Sequence, residues 1–155
     1  MKDKSFRGYN ASKREYYYGF KIHVVCASDG TIVEFEFSPA SWHDLRGLAL
    51  LGLDLPEGSE LFLDRAYNDY ALEELAREAA GIHLRPVRKK NSKAADYTRA
   101  ENDRRNRMRK PVETHLSQLM ALFPRKLHAT TLKGFILKMM GLVVAYSFTV
   151  LAKAL

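Results

Sequence analysis

Residues 59–87 constrain the fold more than any other stretch. "SELFLD" (59–64) is a short apolar run without alternation, which reads as a strand buried on both faces. A helical pattern follows over 68–80, with Tyr70 or Ala71, Leu75 and Ala79 at helical spacing and Gly81 as its stop. "IHLRPV" (82–87) reads as another short strand, and Pro86 places it at an edge or a strand end. The first of these strands ends on an acid, Asp64. A carboxylate there is poorly placed for stability, because burying it without a partner is costly.

Upstream, "YYYGFKIHVVC" (16–26) alternates as a strand, with Tyr18, Phe20, Ile22, Val24 and Cys26 inward and Lys21 and His23 on the opposite face. "SDG" (28–30) signals a hairpin turn. The return strand, 31–37, turns Val33, Phe35 and Phe37 inward and Glu34 and Glu36 outward. "SPASWHDLRGLALLGL" reads as a loop and a short helix, with Ser41 or Asp44 near its N-terminus. Downstream, Thr98 and Glu101 form a capping-box pattern that opens a helix, and Pro111 is expected to kink or restart it. Beyond it, Val112, Leu116, Leu119 and Phe123 form an apolar stripe.

The last helix spans 132–154. Its uncharged stretch, 139–152, is 14 residues, shorter than the roughly 17–25 a spanning helix needs, so a buried core helix is expected. The element order β-β-α-β-α-β-α-α predicts an α/β fold: one mixed sheet with helices on both faces.

The chain has 155 residues and a formal charge of +7, which favours polyanionic partners. That charge is concentrated. Between Arg85 and Lys110 eleven Lys or Arg face three acids, so this segment carries the whole excess. Arg85, Arg88, Lys89, Lys90, Lys93, Arg104, Arg105, Arg107 and Lys110 are the candidate phosphate contacts. A single cysteine, Cys26, excludes an internal disulfide framework and suits a reducing compartment. The polar start, "MKDKSFRGYN", has no signal-peptide pattern. The five histidines show no metal-ligand spacing and read as structural, and Trp42 reads as packing.

A second acid, Glu113, falls on a helix about fifty residues after Asp64, with Arg109 one turn before it and able to pair with it. A strand-end carboxylate with a helix carboxylate suits hard divalent ions, although a two-metal site normally needs at least three acids. "YYGFKIHVVCASDGTIVEFEFSPASWHD", "LFLDRAYND", "RMRKPVETHLSQL" and "LHATTLKGFILKMMGLVVAY" together resemble the catalytic domain of bacterial insertion-sequence transposases of the DDE class.

The resemblance implies a ribonuclease-H-like fold, metal-dependent DNA cleavage and strand transfer, Mg²⁺ or Mn²⁺, and DNA as partner. It makes Asp64 the second acid and metal ligand, Glu113 the third, and Arg109 a supporting arginine. Asn106 and Met120 stand where many relatives carry a Tyr and a Lys. Asp44 also matches a family position, but helix capping explains it better.

The family's first Asp sits on a strand before the hairpin, and "MKDKS" around Asp3 does not match it. The expectation is therefore a partial catalytic domain over 16–155, lacking its first strand and first acid, after a poorly structured 1–15. Such a chain would be cytoplasmic and inactive alone. Its partners would be DNA, a separately encoded N-terminal fragment or further copies of itself, and no membrane. The alternatives are a non-catalytic basic DNA-binding remnant and, from another class, a membrane-peripheral or adaptor protein using the apolar last helix.

Overall fold

A computed structural model describes residues 3–10, 13–89, 92, 98–124 and 127–154. They divide into two compact units: one runs up to Val24 and resumes over Glu34–Arg109, the other comprises Val25–Val33 and Lys110 onward.

The first unit opens on a 3-10 turn, Lys4–Phe6, and a strand, β1 (Arg7–Asn10), paired antiparallel with β2 (Glu15–Tyr18). This corrects the expectation of a poorly structured start. It also shortens the long strand expected from Tyr16, because the chain breaks at Gly19. Gly19 donates to the Phe6 carbonyl (2.8 Å) and accepts from Ala40 (3.1 Å), so its backbone serves two neighbours.

The following hairpin is β3 (Phe20–Cys26) and β4 (Ile32–Pro39). The Ser-Asp-Gly turn forms as its residues require: Gly30 takes φ +92°, and Asp29 Oδ1 accepts from the Thr31 N–H at 2.8 Å. Facing differs from the alternation. His23 is buried, its Nε2 2.8 Å from the Oγ of fully buried Ser38, while Phe20, Ile22 and Val24 are half-buried and Val33 is exposed. Gly47 admits this arrangement, since a Cβ there would lie 2.1 Å from the His23 ring. Glu34 is turned to use as well, accepting from the Leu53 N–H with both oxygens (2.9 and 3.1 Å), where Leu53 takes φ +48°.

Helix α1 (Asp44–Leu48) is capped by His43, whose Nδ1 accepts from Leu45 N–H, and neither Ser41 nor Asp44 is the cap. β5 (Glu60–Leu63), α2 (Tyr70–Ala80) and β6 (His83–Pro86) form the strand-helix-strand unit, with β5 and β6 parallel. Asp69 caps α2 through the Ala71 and Leu72 N–H groups, and Gly81 ends it at φ +64°. Leu61, Phe62 and Leu63 are half-buried, short of the full burial expected of this strand.

Among the described residues the strands form three two-stranded sheets, where one mixed sheet was expected. The ladders are short, four residues on each of β5 and β6, and no described strand bridges the pairs. The α/β mixture is compatible with a ribonuclease-H-like domain.

Helix α3 (Arg99–Leu122) starts at the expected box, with Thr98 Oγ1 accepting from Glu101 N–H at 3.1 Å. It runs through Pro111 as one element, although proline removes the donor to the Arg107 carbonyl. In the second unit Leu119 is buried, and the His115 ring sits against Gly30, where a Cβ would approach it to 2.2 Å.

Helix α4 (Leu132–Ala154) buries Met139, Val143 and Tyr146, one stripe at helical spacing. The Tyr146 hydroxyl lies 3.2 Å from His115 Nδ1. The remainder of α4 corrects the core-helix expectation: Leu137, Met140, Val144, Phe148 and Leu151 are exposed, and only 17% of its apolar window is buried. Leu132–Lys153 is long and apolar enough to cross a membrane by length and composition. Cys26 is half-buried, and burial, then the nearby Asp29 charge, pushes its thiol up to about 11.

Candidate functional site

Asp64 ends β5 because its side chain serves the next turn. Oδ1 accepts from Arg65 N–H at 2.6 Å, capping the short 3-10 helix Arg65–Tyr67. The side chain remains 57% exposed, and Oδ2 lies 3.9 Å from Arg109 Nη1. The arginine expected one turn before Glu113 therefore also faces the strand-end acid, and that long-range approach is invisible to helical spacing.

A second charged pair joins β3 to α1. Lys21 Nζ donates to Asp44 Oδ1 at 2.8 Å and to the Trp42 carbonyl at 2.7 Å, so Asp44 acts as an ion-pair partner. Tyr67 links the two acids electrostatically. Burial, then the charges of Asp44 and Asp64, pushes its hydroxyl up to about 12, keeping it a neutral donor. Trp42 stacks under Arg46, whose guanidinium lies 3.5 Å from the ring centroid.

Glu113 is exposed and follows Arg109 by four residues on α3, in the second compact unit. Among the described residues no group of three or more His, Cys, Asp or Glu could hold a metal ion.

The basic segment separates into distinct populations. Arg88 is 4% exposed and Arg105 only 1%, so both leave the set of phosphate contacts. Arg88 grips Glu73 with two 2.6 Å bonds and reaches Asn68 Oδ1 at 3.2 Å. Arg105 donates to the Pro86 carbonyl (2.9 Å) and to Glu101 (3.2 Å). Both cations are needed where β6 ends, because they satisfy polar groups that burial removes from water. Arg85 and Arg104 share Glu60, at 3.0 and 2.6 Å, and Arg104 first, then Arg85, holds that carboxyl below its ordinary range. Lys89, Arg107 and Lys110 are exposed, and Lys90 and Lys93 lie outside the described residues.

Comparison with protein families matches the transposase DDE domain over residues 2–148, nearly the whole chain. The chain belongs to the transposase DDE family. No curated protein and no solved structure matches it. The match to this transposase domain begins at residue 2 and so takes in the first strands. Transposition is the family's function and DNA its partner, and divalent metals generally serve it.

Sequence reasoning missed the exposed aromatic face of the β1–β2 hairpin, because the three successive tyrosines of "EYYY" carry no alternation that tells which of them face outward. It also missed the Lys21–Asp44 pair, for which no local signal exists across 23 residues.

Proposed function

We propose that this chain carries two of the acids of a DNA strand-cleaving and strand-transferring transposase site, Asp64 and Glu113, with Arg109 supporting Asp64. The carrying observation is the exposed carboxylate of Asp64 at the end of β5, with the Arg109 guanidinium 3.9 Å away. An exposed carboxylate is a hard oxygen ligand of the kind Mg²⁺ or Mn²⁺ takes.

A further acid completes the site from another segment or another chain, such as a separately encoded transposase fragment or a second copy. The absence of a three-acid cluster among the described residues supports this. Alone, the chain binds DNA through Lys89, Arg107 and Lys110, assisted at the rim by Arg85 and Arg104, and does not cut. It works in the cytoplasm.

Nicking of supercoiled plasmid in Mg²⁺ or Mn²⁺, with Asp64→Ala and Glu113→Ala as controls, tests this. No nicking by the isolated chain is expected, with salt-sensitive DNA binding retained. Nicking lost in both variants would show that the site is complete without a further acid. Persistent inactivity after adding the completing polypeptide would favour the non-catalytic remnant. The membrane-peripheral reading has one observation in its favour, the exposed apolar face of α4. Flotation with anionic vesicles tests it, and no flotation is expected.

A further inference from the structure

One face of the β1–β2 hairpin is made entirely of exposed aromatic and cationic side chains. The register sets Tyr9 opposite Tyr16 and Arg7 opposite Tyr18, so these four residues share a face. Tyr9, Tyr16 and Tyr18 are 53%, 67% and 49% exposed, and Arg7 is exposed too. The Tyr9 and Tyr16 ring centroids lie 4.9 Å apart, and the Arg7 guanidinium sits 4.4 Å from the Tyr16 centroid.

The other face is clamped. Gly8 is buried, and a Cβ on it would come within 2.7 to 2.9 Å of Tyr17 and Ala40. Gly19 ties the hairpin to Phe6 and Ala40, and Ser41 donates to the Ser5 carbonyl at 3.1 Å. On the aromatic face the Tyr18 hydroxyl is itself anchored, donating to the Asp3 carbonyl at 2.7 Å. The rings therefore stand on a fixed platform. Lys4, Lys13 and Arg14 in the same described stretch are exposed as well, against two acids, Asp3 and Glu15.

We propose that the Arg7–Tyr9–Tyr16–Tyr18 face binds single-stranded DNA, its rings stacking on unpaired bases and its cations holding the phosphates. A flat ring can stack only on a base whose face is open, which a duplex denies, and stacking is tolerant of sequence. An aliphatic protein surface would find no aliphatic counterpart on this face. The surface is separate in sequence from the basic segment after Arg85. It rests on DNA being the partner and not on Asp64 or Glu113. It fits a reaction in which strands are opened at the cut.

The test is fluorescence anisotropy of the full chain with labelled oligothymidylate and with a duplex of equal length, in EDTA so that no chemistry intervenes. Tyr9→Ala and Tyr16→Ala are expected to weaken single-strand binding by roughly 5- to 100-fold and leave duplex binding unchanged. Tyr16→Phe keeps the ring and should bind as the parent does. Arg7→Gln should lower the salt slope on single strands by about 0.7. Should the alanine variants fail to fold by circular dichroism, Tyr16→Trp carries the test: oligothymidylate should quench its added emission above the Trp42 baseline. Unchanged binding by folded alanine variants, equal losses on single strand and duplex, or no quenching would overturn the proposal. A parent chain that binds neither form would instead sink the DNA reading as a whole.

Discussion

Arg88 sets two guanidinium nitrogens against the two carboxylate oxygens of Glu73, each at 2.6 Å, with 4% and 15% of the side chains exposed. The pair joins the chain after β6 to α2, and Asn102 Oδ1 accepts from the Arg88 N–H at 2.7 Å to add α3. A residue that looks like a DNA contact in the sequence is thereby a junction of three elements.

Removing Glu73 leaves a buried cation uncompensated. Glu73→Ala is expected to destabilise the fold by about 3–5 kcal/mol, read from urea unfolding. A double variant, Glu73→Leu with Arg88→Met, should recover most of that loss, since an apolar pair of similar volume needs no desolvation of charge.

The burial differences make a prediction about salt. Lys89→Gln or Arg107→Gln should each reduce the slope of log binding against log salt on duplex DNA by about 0.9. Arg105→Met should leave the slope unchanged, because its charge is spent on Glu101 and the Pro86 carbonyl. Equal slopes for all three variants would refute this division of the basic segment.

His23 couples stability to pH. Burial lowers its pKa, opposed by Asp44 and Glu36 and reinforced by Lys21. The folded state therefore holds a neutral ring where the unfolded chain binds a proton, below an unfolded value of about 6.5. The unfolded state gains protons as pH falls, so stability should decline from near pH 6.5 downward. Urea midpoints between pH 5 and 7 should fall with acid for the parent and vary less for His23→Gln.

Gly30 is a two-fold requirement. It takes φ +92°, and its missing Cβ leaves room for the His115 ring. Gly30→Ala combines left-handed strain with overpacking and should destabilise by about 2–4 kcal/mol. Gly58→Ala, at φ +82° with open space around it, isolates the strain alone and should cost less. Thermal melts of the two variants compare them.

What the sequence by itself determined is local. The Ser-Asp-Gly turn, the Thr98 capping box, the Gly81 stop and the acid ending β5 each follow from one residue's own conformational or hydrogen-bonding preference, satisfied within a few residues. Only the tertiary structure decided which charges are free. Arg88 meets Glu73 across 15 residues, Arg104 meets Glu60 across 44, and Lys21 meets Asp44 across 23. Periodicity records which side of an element a residue occupies, but carries no information about what lies opposite. The face of β3 bearing His23 was read as polar and outward for that reason. Burial needed Ser38 and the missing Cβ of Gly47, which only packing brings beneath the ring.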